Sequence, residues 1–139
     1  MKRLALVACM ALVVVVVAAG CGKTQSNPYS GTYVGVLSSV AEKYQKDDFK
    51  MVFTNGIKDE ANLYLYGLPL TKVTEEKYEA KGELVIQIIK LVNPNAKSEE
   101  IKDASIVFTF ATGKVSMNAE YKVLDAIDVS VIKYEGVKQ

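Results

Sequence analysis

The chain has 139 residues, a formal net charge of +1, and neither histidine nor tryptophan. Without histidine it has no imidazole to serve as a general base near neutral pH or as a metal ligand. A nearly neutral chain also lacks the concentrated positive charge that binds nucleic acid. Composition therefore predicts a protein that is not an enzyme, holds no metal or cofactor, and does not bind nucleic acid.

The first twenty residues have the pattern of a secretory signal peptide. Lys2 and Arg3 form a basic start, and residues 4–19 carry no charge. A basic start followed by a short apolar run is typical of such peptides. The alternative is an uncleaved anchor helix. A helix that crosses the membrane needs roughly 20 apolar residues, and the uncharged run has sixteen, so its length is marginal for an anchor.

The residues before Cys21 suggest that a lipid is attached there. The sequence Ala18-Ala19-Gly20-Cys21 resembles the lipobox of bacterial lipoproteins, although leucine is usual at the first of these positions. The resemblance implies that the Cys21 thiol carries acyl chains, so that the membrane is a partner of the protein. Gly22, rather than aspartate, follows the cysteine, which implies a place in the cell envelope, on the outer membrane facing the periplasm.

We expect four segments along the chain. They are a signal peptide over 1–20, a lipidated cysteine and flexible tether over 21–30, a β domain over 31–136, and a tail over 137–139. Cleavage would remove two of the 17 basic residues, so that 15 face 16 acidic ones and the net charge becomes −1. The remaining 119 of the 139 residues suffice for one domain with a core. Cys21 is the only cysteine among them, so no internal disulfide is expected.

Short alternating runs dominate the β domain. The clearest is a hairpin over 104–121, in which Phe108 and Phe110 share one face and Thr112-Gly113 forms the turn. Residues 83–92 are apolar at successive positions, and we interpret them as a strand with both faces covered. With the other runs, these predict an all-β fold of about 7–8 strands, an antiparallel up-and-down barrel or half-barrel, with a β-sandwich as the alternative.

The two ends of the domain resemble a known family. The segment "YSGTYVGVL" (29–37) contains Gly-x-Tyr-x-Gly, and "NAEYKVLDAIDVSVIKYEG" (118–136) ends in Tyr-Glu-Gly. Together they resemble the small lipocalin-like, or calycin-like, β-barrel lipoproteins of bacterial envelopes. Tyr33 stands where lipocalins carry tryptophan, and no arginine follows residue 3 to pack over it. The resemblance implies a barrel but no particular reaction, because such folds carry many functions.

Large apolar side chains are expected inside the barrel. An eight-stranded barrel is just wide enough to be filled by side chains or to hold one small ligand. The sequence leaves both possibilities open for the six residues that we expect to line the interior, Tyr33, Phe53, Leu65, Phe108, Phe110 and Met117.

Some apolar residues are expected on the outer wall. In the predicted strands, Val85, Ile89 and Val107 lie opposite the inner face, and a strand that is apolar on both faces must be covered on both. The cover would be residues 38–48, a second copy or a partner, so we predict a contact surface here. Two functions stay open: an envelope lipoprotein that binds a small apolar ligand, or a structural or protein-interaction lipoprotein with a filled barrel.

Overall fold

The computed structural model describes residues 26–56, 61–124 and 126–139, and these form one sheet with a short helix. The helix, α1, spans Glu83–Val92, and a 3₁₀ turn follows at Ser98–Glu100. The strands are β1 (Gly31–Ser39), β2 (Tyr44–Asn55), β3 (Leu63–Leu65), β4 (Leu68–Pro69), β5 (Thr71–Lys72), β6 (Lys77–Ala80), β7 (Ile101–Ala111), β8 (Lys114–Val123) and β9 (Ser130–Lys138).

The sheet curls into a nearly closed antiparallel barrel. Its order is β4-β3-β2-β1-β9-β8-β7-β6-β5, so the first and last strands of the chain are neighbours. The two outermost strands, β4 and β5, follow each other in the chain and are separated only by Leu70. The predicted all-β barrel is confirmed. The described residues form nine strands rather than about 7–8. The difference comes from β4 and β5, which have two residues each and are too short to show alternation in the sequence.

A pair of glycines lets β1 and β9 approach each other. Gly35 and Gly136 are register partners. A Cβ atom on Gly136 would lie 2.7 Å from the ring of Tyr134, and one on Gly35 would lie 1.7 Å from the carbonyl oxygen of Glu135. The space beside Gly136 is taken by Tyr134, which is fully buried and donates its hydroxyl hydrogen to the carbonyl oxygens of Tyr33 and Phe49, at 3.0 and 2.9 Å.

The hairpin expected over 104–121 is also present. β7 and β8 pair up to Ala111 and Lys114, and Thr112-Gly113 forms the turn, with Gly113 at a φ of 74°. Phe108 pairs with Met117. Alternation predicts this hairpin well because one face of each strand packs in the core and the other meets water.

Residues 83–92 form helix α1, so the predicted strand is wrong here. The buried residues Leu84, Ile88, Ile89 and Val92 recur at the spacing of one helix face. Glu83 in the first turn and Lys90 in the last turn match the helix dipole. The apolar stripe of this helix is broad. If the same residues are assigned to a strand, in which alternate side chains share a face, both faces of that strand contain apolar residues, which explains the wrong prediction.

The folded domain extends beyond both expected boundaries. Asn27 is buried, and its side chain bonds to the barrel, so residues 27–30 belong to the domain rather than to the tether. At the other end, β9 continues to Lys138, and the Gln139 N–H donates to the Thr32 carbonyl oxygen at 2.9 Å. The expected tail is therefore part of the sheet. Cys21 and the signal segment lie outside the described residues.

Gly35→Ala should destabilise the protein far more than Gly113→Ala. The added methyl group at position 35 meets backbone that can move only if β1 and β9 separate, so we expect a loss of about 3 kcal/mol or more in the free energy of unfolding. Position 113 has open space but a left-handed backbone, which should cost only about 1–2 kcal/mol. Urea unfolding of the two variants measures both, and equal losses would contradict the close approach.

Candidate functional site

The interior of the barrel is filled by the side chains that were expected to line it. All six are between 0% and 2% exposed. Phe53 packs against three other aromatic rings. Its ring centroid lies 5.5 Å from Phe108, 5.2 Å from Phe110 and 5.5 Å from Tyr33, each in an edge-to-face arrangement. Such contacts are the preferred geometry of packed aromatic rings.

Three depressions open on the surface of the described part of the chain, and none of the six interior residues lines them. The first, of about 270 Å³, lies beside Asn27 and Tyr78. The second, of about 460 Å³, lies between Val40 and Val131 on the outer wall, and the third, of about 350 Å³, lies beside Val85. These three depressions are therefore separate from the buried aromatic side chains of the interior.

One end of the barrel is closed by the segment that precedes β1. The Asn27 side-chain amide donates to the Tyr78 hydroxyl at 2.7 Å and to the Ala61 carbonyl oxygen at 3.0 Å. The Asn27 N–H donates to Asn55 Oδ1 at 2.9 Å. Tyr29 stacks on Phe110 with a centroid distance of 4.8 Å. These contacts cover the aromatic interior and fix where the chain leaves the domain toward Cys21.

The opposite end of the barrel is covered by α1 and by the turn between β1 and β2. Glu42 in that turn accepts hydrogen bonds from the Tyr121 hydroxyl at 3.3 Å and from the Asn93 side-chain amide, next to α1, at 3.4 Å. Burial, together with the negative charge of Glu42, raises the pKa of Tyr121 to about 12. The phenol therefore stays protonated at neutral pH and serves as a hydrogen-bond donor.

The predicted contact surface is not formed as expected. Ile89 is 0% exposed and packs in the core from α1, whereas we expected it on the outer face of a strand. Val85 is half-buried and packs against the core from the same helix. Val107 is half-buried on β7, beside Glu79 of β6. The three residues therefore do not form one outward patch, because Val85 and Ile89 face the core from the helix whereas Val107 lies on a strand.

Sequence alternation missed another surface, which we call the β1-β9-β8 wall. It consists of the outward side chains of these three strands. Several of its valines are exposed, among them Val36 at 39% and Val137 at 53%, and Val40 at the end of β1 is 93% exposed. In β9 the outward residues are Val131, Lys133, Glu135 and Val137. This alternation of outward residues is visible in the sequence, but two charges between two valines are also typical of a strand face that is exposed to water.

Within the described ranges, no helix is long and apolar enough to cross a membrane, and no group of three or more side chains is suited to a metal ion. Comparisons of the chain with protein-family models, with curated proteins and with solved structures find no match.

Ile89→Lys should destabilise the protein strongly, whereas Gln87→Lys should not. Ile89 is buried without a partner for a charge, so its replacement should cost about 3 kcal/mol or more in the free energy of unfolding. Gln87 is exposed on the same helix, and its replacement should stay within about 0.5 kcal/mol. Thermal and urea unfolding provide the comparison. A stable Ile89→Lys variant would restore the outer-strand interpretation of this segment.

Proposed function

We propose that this protein is a lipid-anchored lipoprotein of the cell envelope, without enzymatic activity, that acts through the outer surface of a filled barrel. The observation that carries the proposal is the packing of the interior, where Phe53 contacts three other aromatic rings. A filled barrel leaves no room among these side chains for an apolar ligand, so a structural or protein-interaction role is favoured over ligand binding.

The family resemblance agrees with this proposal. The motif ending at Gly35 and the motif ending at Gly136 lie on neighbouring strands, and the two glycines are directly paired. The residues that suggested a lipocalin-like lipoprotein therefore serve one structural purpose, which is to close the barrel around Tyr134.

The short distance along the chain between Cys21 and the barrel also supports the proposed membrane anchor. Five residues lie between Cys21 and Asn27, where the chain joins the domain, so the two are six Cα–Cα steps apart. Fully extended, such a segment reaches about 20 Å. The barrel would then be held close to the membrane surface, in the outer membrane facing the periplasm, with its walls accessible to other proteins.

Native mass spectrometry tests the filled interior. The full chain, purified from membranes in mild detergent, should have the mass of the lipidated polypeptide with no further apolar molecule bound in a fixed ratio. A stoichiometric apolar ligand would overturn the filled-barrel proposal, and the ligand-binding function would take its place.

Labelling of cells with a palmitate analogue tests the anchor. The wild-type protein and the Cys9→Ser variant should both incorporate the label, because Cys9 lies within the proposed signal peptide. Cys21→Ser should lose it. Equal labelling of all three proteins would contradict lipidation at Cys21.

A further inference from the structure

We infer that the β1-β9-β8 wall binds a second copy of this chain, with the two β9 strands facing each other in opposite directions. The inference rests on the proposed function, for which it names the partner. What points to a second copy is that the charges and apolar residues of the wall are complementary to themselves under a two-fold rotation.

The outward row of β9 is symmetric about Tyr134. It reads Val131, Lys133, Glu135 and Val137, with an apolar residue at each end and one charge of each sign between them. If a second β9 lies over the first in the opposite direction, Lys133 faces Glu135 of the second copy. Val131 then faces Val137 of the second copy. Each contact occurs twice, as a two-fold interface requires.

The flanking strand β8 repeats this complementarity. Its outward residues Lys114 and Glu120 lie level with Val137 and Val131 of β9. The same rotation therefore places Lys114 over Glu120 of the second copy. The two residues between them, Ser116 and Asn118, face each other as uncharged polar groups.

The other flanking strand, β1, supplies apolar contact. Val34 lies level with Val137, and Val40 lines the depression of about 460 Å³ together with Val131. Under the rotation, Val34 and Val137 of the second copy approach this depression. It would be filled by side chains that are otherwise in contact with water, and the burial of valine favours association.

The charges at the centre of the wall lack partners in their own sheet. Lys133 is flanked by Ser38 and Asn118, and Glu135 is flanked by Val36 and Ser116. The two ion pairs found among the described residues join Lys72 with Glu75 and Lys81 with Glu79, away from this wall. A second copy supplies the opposite charge that the flanking strands do not.

The complementarity also selects the direction of the pair. With the two β9 strands in the same direction, Lys133 would face its own equivalent and Glu135 would do the same, and facing like charges are destabilising. The opposite direction places the two Asn27 ends at opposite ends of the pair. Barrels lying on their sides allow both anchors to reach one membrane, since the segment from Cys21 to Asn27 spans about 20 Å when extended.

Charge reversal in full-length chains tests the inference. Two copies with different tags are expressed together, membranes are solubilised in mild detergent, and the protein captured with the first tag is probed for the second. Wild type should capture wild type. Lys133→Glu paired with itself and Glu135→Lys paired with itself should each lose capture by about tenfold or more, because two sets of like charges face each other.

The mixed pair provides the decisive measurement. Lys133→Glu expressed with Glu135→Lys should restore capture, because both glutamates of the first variant, at positions 133 and 135, then face lysines of the second variant. Lys77→Glu, an exposed change on the outer side of β6, is the matched control and should capture itself like wild type. Restoration also shows that both single variants are folded.

Three results would overturn the inference: no capture between wild-type copies, undiminished capture between identical single variants, or no restoration in the mixed pair. Each would leave the filled barrel and the anchor unaffected, since mass spectrometry and lipid labelling test those separately. Conversely, a stoichiometric apolar ligand would overturn the proposed function without changing the capture results.

Discussion

The fold depends on the pairing of the first strand with the last. Gly35 and Gly136 meet at this junction: the backbone of β9 comes close to Gly35, and the ring of Tyr134 lies against Gly136. The hydroxyl of Tyr134 bonds to carbonyl oxygens of Tyr33 on β1 and Phe49 on β2, so one buried side chain connects three strands. Burial raises its pKa to about 12, which keeps the donor protonated at neutral pH. Without this junction the sheet would have two more open edges.

Closure of the barrel brings together side chains that are far apart in the chain. Once β1 and β9 pair, the aromatic side chains of both halves of the chain meet in the interior and pack against one another. Asn27 closes one end, and Glu42 links the turn, Tyr121 and Asn93 at the other. Because both ends are covered, our proposal assigns the function to the outer wall, with its exposed valines and charges, rather than to the larger side chains inside.

Whether a predicted site residue lies where the sequence suggested depends on whether its segment is a strand or a helix. Phe108 and Met117 are buried, as the alternation of their hairpin predicts, because one face of each strand packs in the core. Val85 and Ile89 were misplaced because a broad apolar stripe on a helix also fills alternate positions of a strand. The β1-β9-β8 wall was missed for a different reason. Its complementarity joins residues such as Val34 and Lys114, which become neighbours only through strand pairing.

The sequence by itself determined the all-β class, the hairpin with its turn at Thr112-Gly113, and the side chains that fill the core, because local alternation and turn residues carry that information. It also contained the signal and lipobox patterns that predict the anchor. Tertiary structure decided the rest: helix α1, the attachment of Asn27, the order of the strands and the arrangement of charges on the outer wall. The helix has a periodic pattern of its own, but its broad apolar stripe also fits a strand, and burial against the core decides between the two. The other features depend on contacts between residues far apart in the chain, and such contacts leave no periodic trace in the sequence.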